Sequence, residues 1–274
     1  MYRTAKEQDL PALTGLWQRA FGDPEEYAHK VMTEIAGLDN VYLACPEGGP
    51  VSMLCTVPVT MEGMPGAYLY GLATDPAFQG KGLMTGLLDY AKSQLTMQGR
   101  GFGVLVPASA SLQGFYAKRG FEPVFRLRRI KNEAIPRNLW ATADFDSVTA
   151  ARLGQLRQKF APGGVMLPAA GWLAEILSLY SQGATTVETA GGYGIYFEEG
   201  DTLYFVELLA DSDRDAKLLL QAAREHTGLE KAEITLGEHS ELLLGEGRLE
   251  DYGMAAFWGS QPPLHRAYMR LMLE

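Results

Sequence analysis

One stretch constrains this chain more than any other: a strand, a glycine-bearing turn and a long helix in immediate succession. The strand, Ala67-Tyr68-Leu69-Tyr70-Gly71-Leu72-Ala73-Thr74, is aromatic and aliphatic and ends at Asp75-Pro76. Gln79-Gly80-Lys81-Gly82 follows. From Leu83 to about Gln98 the apolar residues Leu83, Leu87, Leu88, Ala91 and Leu95 fall at helical spacing. The first backbone N–H groups of such a helix have no partner within it. They converge on one point, and the helix end carries a partial positive charge, so the turn suits a phosphate group. A phosphorylated ligand is expected at residues 79–84.

The remaining composition bounds what can surround this unit. A chain of 274 residues, 47% hydrophobic and 21% charged, can bury real cores in one large domain or two smaller ones. No apolar run approaches the roughly 20 residues needed to span a bilayer, so no membrane partner is expected. Met1 to Glu7 contains no apolar stretch and reads as a first strand rather than a signal peptide, which makes a cytoplasmic location the expectation. Cys45 and Cys55 fall in neighbouring strands. Without an export signal they are expected as two reduced core thiols. Neither has a CxxC or His-paired context, and the four histidines (His29, His226, His239, His265) are scattered, so no metal site is expected.

Charge is unevenly placed. Residues 1–130 hold 12 basic and 12 acidic side chains, while residues 131–274 hold 12 and 21, which accounts for the whole net charge of −9. Nucleic acid is a poor partner for either half. The acidic half either keeps the surface soluble or attracts a cationic substrate.

The order of elements reads as two α/β halves. In the first, a strand at Tyr2–Thr4 precedes a helix from near Asp9 and a second helix after Asp23-Pro24. Strands at Val41–Cys45 and Val51–Val59 follow, then the strand, turn and helix above. A strand at Gly103–Val106, a helix at Ser111–Arg119 and a strand at Phe121–Ile130 complete it. Residues 131–147 read as a connector. The second half offers helices at Thr149–Phe160 and Gly171–Tyr180 and a hairpin of Tyr193–Phe197 with Thr202–Leu209. A helix at Ala216–Thr227, a strand at Ala232–Leu236 and two late strands, around Met254–Trp258 and Ala267–Leu273, finish the chain. From Val41 onward the plan repeats, without a helix before the final pair, as in a duplicated fold.

The Gln79-Gly80-Lys81-Gly82 turn and, about 35 residues on, Phe115-Tyr116-Ala117-Lys118-Arg119-Gly120-Phe121 together resemble the GCN5-related N-acetyltransferase (GNAT) superfamily. The first is similar to its Q/R-x-x-G-x-G/A pyrophosphate loop and the second to its late F-Y-x-K-x-G-F helix. The resemblance covers residues 1–130. The tandem plan is similar to Eis-like acetyltransferases, without their sterol-carrier-like third domain. What it implies is a pair of mixed, mostly antiparallel α/β sheets flanked by helices: an acetyl-CoA-binding domain at 1–130, a connector at 131–147 and a degenerate copy at 148–274. One position departs from the pattern, Met84 standing where Gly or Ala is usual. Its backbone N–H survives, and its side chain either narrows the groove or is directed away.

Other readings of the glycines fit less well. Gly80-x-Gly82-x-x-x-Gly86 shares spacing with a dinucleotide fingerprint, but it follows a late strand and the next strand ends at Val106-Pro107 with no acid. A Walker loop needs a glycine four residues before the Gly-Lys pair and a Ser or Thr after the lysine, and both are missing. A tight turn with no ligand is the third reading.

By the same resemblance the pantetheine arm of acetyl-CoA lies along Leu72, Ala73 and Thr74 as an added strand, with its pyrophosphate at Gln79, Gly80, Lys81, Gly82, Leu83 and Met84. Lys81 either lends charge to a phosphate or is a solvated loop lysine. Tyr116 is the implied general acid, protonating the departing thiolate; the alternative is a packed tyrosine with its hydroxyl on the backbone. Seven residues earlier, where the family often has Asn, stands Ser109, with Ser111 the other candidate for that contact. Tyr68 and Tyr70 are assigned to the acceptor pocket. No carboxylate on that strand serves as base, and Glu274, the terminal residue, is a weak candidate. In the second half Ala210-Asp211-Ser212-Asp213-Arg214-Asp215 replaces the loop, and its carboxylates would repel pyrophosphate. The expected activity is N-acetylation of an amine by direct attack in a ternary complex; the alternative is a non-catalytic acyl-CoA sensor. Aminoglycoside, polyamine, peptide amine and small metabolite are all open as acceptors, and a homo-oligomer is compatible with the sequence.

Overall fold

The computed structural model describes residues 1–46, 48–132, 142–259 and 261–273. Residues 133–141 of the expected connector and Glu274, the candidate base, lie outside the described residues. Two compact units are present, one made of Met1–Glu122 with Met254–Pro262 and the other of Pro123–Gly253 with Pro263–Glu274.

In the first unit the elements are β1 (Tyr2–Thr4), α1 (Leu10–Phe21), α2 (Glu25–Lys30), β2 (Val41–Ala44), β3 (Ser52–Met61), β4 (Met64–Thr74), α3 (Leu83–Met97), β5 (Phe102–Leu105) and α4 (Ala110–Ala117). Strands β1 to β4 pair antiparallel in sequence order. β4 then pairs parallel with β5. Beyond β5, Met254–Phe257 of a late strand closes the sheet antiparallel. Helix α3 buries Leu87, Leu88, Ala91 and Leu95, the stripe its sequence spacing marked, against Leu54, Leu69, Leu105 and Met254.

The second unit is formed by β6 (Glu122–Asn132), β7 (Asp144–Phe145), α5 (Ala150–Phe160), α6 (Ala169–Ser181), β8 (Thr185–Thr189), β9 (Gly192–Glu199), β10 (Thr202–Ala210), α7 (Asp213–Thr227), β11 (Lys231–Gly237) and β12 (Gly247–Phe257). Its strands β7 to β10 pair antiparallel in order, β10 pairs parallel with β11, and β6 closes the sheet antiparallel on β11. This repeats the pairing pattern of the first unit. In each unit, however, the closing strand is drawn from the other half of the chain: the end of β12 beside β5, and β6 beside β11. The compact units therefore divide at residue 122 and again at 253 and 262, where a linear reading would have placed the break near residue 130.

One expected strand is absent. Ala267–Leu273 holds a single bridge, Gly164 to Tyr268, and Leu271 has a positive φ of 53°, which breaks an extended run. The stretch is apolar because Ala267, Tyr268, Met269, Leu271, Met272 and Leu273 are buried. Strands β7 and β8 are additions that the sequence pattern did not separate from their surroundings. Cys45 and Cys55 are buried and unbridged.

At the centre of the second unit, Arg157 of α5 forms an ion pair with Glu207 of β10, and both are inaccessible to solvent. Tyr193 donates to the second carboxylate oxygen of Glu207, and Tyr268 donates to the first at 2.8 Å. The guanidinium lies 5.1 Å from the ring centroids of Trp172 and of Tyr268. A charge buried this deeply persists only with its partner. Glu207→Leu should therefore destabilise the chain by about 3–5 kcal/mol, and adding Arg157→Met should recover most of the loss; urea midpoints of the two variants check this. The exchange of closing strands makes a second prediction. A fragment of residues 1–130 keeps an unpaired β5 edge and a β6 without its neighbour β11, so it should aggregate or lack fixed tertiary near-ultraviolet circular dichroism, while the full chain is soluble and folded.

Candidate active site

The site grows from β4. Its ladder with β5 has two pairs, Ala67 with Gly103 and Tyr68 with Val104, and then stops. Beyond Tyr68, β4 continues to Thr74 with no strand on its β5 side. On its other side the register with β3 shifts between Cys55–Tyr70 and Met53–Ala73, a bulge that contains Gly71. Gly71 has φ 61°, and a Cβ there would lie 2.3 Å from the ring of Trp17, so only glycine satisfies both conditions. Leu72, Ala73 and Thr74 thus follow the bulge without a strand partner on the β5 side. Ser52 Oγ holds the Ala73 carbonyl at 3.0 Å and meets Thr74 Oγ1 at 2.8 Å, so this end of the strand is fixed from the β3 side.

The turn that follows is held by its own side chains. Asp75 accepts from the Ala77 N–H at 3.0 Å, and Gln79 Nε2 donates to the Thr74 carbonyl at 3.1 Å. Gln79 therefore folds the loop back onto the strand end. Lys81 Nζ sits 4.7 Å from the Phe78 ring centroid, a cation–π contact within the loop. Gly80 and Gly82 have φ of 74° and 77°, and a Cβ on either would meet nothing within 4 Å. Gly82 is the N-cap of α3 and no side chain caps the helix. Gly86 is the first residue of the turn whose N–H reaches back, to the Gly82 carbonyl at 3.1 Å. The N–H groups of Leu83 and Met84 are thus free of the helix ladder, at an open, glycine-lined helix end. The Met84 side chain packs against the core cluster, so of the two alternatives at this position it is directed away. Gly86 serves packing, since its Cβ would lie 2.0 Å from the Tyr2 hydroxyl.

Tyr116 is on α4, buried, with Phe115 at 5.2 Å and Phe121 at 5.9 Å between ring centroids. Its hydroxyl makes no hydrogen bond to a described residue, so it is not spent on the backbone. Burial pushes its pKa up to about 12, and the charge of Arg119 pulls the other way. Ser109 is the N-cap of α4, and its Oγ meets Ser111 Oγ at 2.9 Å at an exposed turn.

Tyr68 and Tyr70 stack at 5.6 Å on one face of β4. Tyr68 is fully buried. Tyr70 is half-buried, shares a 3.0 Å hydrogen bond with the Tyr27 hydroxyl and packs edge-on against Trp17. Burial raises the Tyr70 pKa well above the ordinary phenol range. Two residues escaped the sequence reading. Arg119 donates through Nε (3.1 Å) and Nη2 to Thr85 Oγ1 in the first turn of α3, and through Nη1 to the Phe115 carbonyl at 2.5 Å. Nothing in the sequence separates this arginine from the variable positions of its motif.

The equivalent helix end of the second unit is built differently, beside a cavity lined by Ala210, Asp211, Ser212 and Asp213. Ser212 caps α7 by accepting from the Asp215 N–H, and the Asp213 carboxylate accepts from the Leu243 N–H at 2.7 Å. Ser212 thus caps one N–H of this helix end, where α3 has no side-chain cap. Among the described residues no helix is long and apolar enough to cross a membrane.

Residues 1–124 match the family model described as acetyltransferase (GNAT) domain. Among solved structures, a conserved protein of unknown function and probable N-acyltransferase from Enterococcus faecalis superposes with TM-score 0.75 at 19% identity, over 94% of this chain and 72% of its own. Eis1 from Mycobacterium abscessus gives 0.73 at 14% identity, over 94% and 73%. A tandem GNAT protein from the clavulanic acid biosynthesis pathway gives 0.52 at 12% identity, over 96% and 99%. At these identities the likeness is one of fold. No curated protein matches the sequence. Residues 1–124 therefore form an acetyltransferase domain of the GNAT superfamily, in a chain that shares its fold with Eis-like and tandem GNAT proteins.

Proposed function

We propose that the chain is a cytosolic N-acetyltransferase that moves the acetyl group of acetyl-CoA onto an amine by direct attack in a ternary complex. The observation that carries this reading is the combination, in one unit, of an uncapped glycine-lined helix end, an open β4 edge and a buried phenol whose hydroxyl bonds no described residue. The N–H groups of Gly80 to Met84 take the pyrophosphate, with Lys81 adding charge. The backbone of Leu72 to Thr74 takes the pantetheine arm. Ser109 and Ser111 offer hydroxyls to that arm, and Tyr70 forms a wall of the acceptor pocket with the buried Tyr68 stacked behind it.

Acetyl-CoA supplies the activated acyl group, and Tyr116 supplies a proton to the thiolate that departs. A phenol with pKa about 12 would be a poor donor to a thiolate in water. The site is not water, however, and the same desolvation makes a thiolate more basic. Phenol and thiolate rise together on desolvation, so the phenol remains able to donate as the thiolate departs. β4 carries tyrosines and no carboxylate, so in this reading the amine arrives neutral or gives its proton to water.

Acetyl-CoA should raise the Tm of the chain, and free thiol should appear when an effective amine from a panel is added. Tyr116→Phe should retain acetyl-CoA binding and lose turnover by about 10²- to 10⁴-fold. Tyr116 acts in its protonated form, which persists until the pH approaches 12. The rate should therefore rise as the amine deprotonates, with no alkaline fall traceable to Tyr116 below about pH 11. Wild-type turnover in Tyr116→Phe would overturn the acid role. Stabilisation by acetyl-CoA without thiol release for any amine would favour the acyl-CoA sensor instead.

A further inference from the structure

We propose that Arg119 and Thr85 form a positioning clamp that fixes the distance between the two ends of the acetyl-CoA site. The inference rests on the acetyltransferase reading above and assigns it two further residues. A ligand of this kind would be anchored at the α3 N-terminus and react at Tyr116, so the spacing of α3 from α4 decides whether both ends are engaged together. Between the two helices in sequence lies only β5 with its flanking loops. Arg119 is the side-chain tie. Its Nε and Nη2 both reach Thr85 Oγ1, one turn into α3, while Nη1 holds the carbonyl of Phe115, the residue before Tyr116. Its guanidinium carbon lies 3.4 Å from the Phe115 ring centroid, so the group is held by stacking as well as by hydrogen bonds.

The placement is otherwise unfavourable. A cation beside a helix N-terminus opposes the helix dipole, and among the described residues no carboxylate pairs with Arg119. An anion bound at the open end of α3 would relieve that conflict. The planar fork is also what makes the clamp rigid, because a lysine could not hold two positions at a set angle. The Tyr116 side chain, which bonds no described residue, gets its position from packing against Phe115 and Phe121 and from the backbone that Arg119 holds.

The test compares binding of acetyl-CoA with binding of adenosine 3′-phosphate 5′-diphosphate, the fragment of coenzyme A that ends at the pyrophosphate. Calorimetry is run on the full chain and on Thr85→Val, Thr85→Ser and Arg119→Lys. In Thr85→Val and Arg119→Lys the Kd for acetyl-CoA should rise about tenfold, the worth of one charge-assisted hydrogen bond, while the Kd of the fragment stays at the wild-type value. Thr85→Ser, which keeps the oxygen, should bind both ligands as the wild type does. Equal weakening of both ligands would make the pair part of the phosphate cradle and overturn the clamp, as would no change in either. If Thr85→Val does not fold, Arg119→Lys, which keeps the stem and the charge, decides the matter alone. A wild-type chain that binds neither ligand would instead bring down the acetyltransferase reading itself, an outcome distinct from failure of the clamp.

Discussion

The parting of β4 from β5 after Tyr68 is the constraint on which the rest of the first unit depends. Parallel strands normally stay paired, because each buried N–H and C=O needs a partner. Here the bulge at Gly71 bends β4 locally, and the ring of Trp17 occupies the space where a side chain would stand. The strand then runs on for six residues with one edge open, into a turn that ends at an uncapped helix. A strand edge without a partner and a helix end without a cap thus follow one another in the chain. A ligand with an amide-bearing arm and a phosphate at its end, as proposed, is the chemistry that would satisfy both.

The second unit shows that this arrangement is a choice made by side chains and not a consequence of the pairing pattern. Its strands pair in the same order, and β10 carries its own register shift, between Phe205 and Glu207. There the bulge ends in a carboxylate that is consumed by Arg157, Tyr193 and Tyr268. The helix that follows is capped by Ser212, and Asp213 holds a neighbouring backbone N–H. An interior ion pair and a capped helix end confer order there. The pairing order is retained, while the helix end carries a side-chain cap and carboxylates where the first unit has glycines.

Much of this was legible in the sequence where the signal is local. The extent of α3, the turn at Gly80 to Gly82 and the position of Tyr116 all follow from short-range spacing, which one sequence carries. Strand exchange is different. β6 follows α4 directly and reads as the natural end of the first half, yet its partner is β11, a hundred residues away, and no local pattern encodes that pairing. Ala267 to Leu273 misled for a related reason, since burial alone makes a run apolar whether or not it is extended. The Arg119–Thr85 tie spans 34 residues between a motif's variable position and a helix threonine, each unremarkable where it stands.

The glycines show how physical context turns a motif into a site. Gly71, Gly80, Gly82 and Gly86 fall within sixteen residues, and by spacing alone any of them could belong to a ligand loop. A Cβ on Gly71 would strike Trp17, and one on Gly86 would strike Tyr2, so those two record close packing around aromatic rings. A Cβ on Gly80 or Gly82 would meet nothing. Packing cannot explain them, and their positive φ values leave only the course of the backbone. That course turns successive N–H groups toward open space at the end of α3. In the proposed binding role, the glycines that count are those whose missing side chains leave room that the protein itself does not fill.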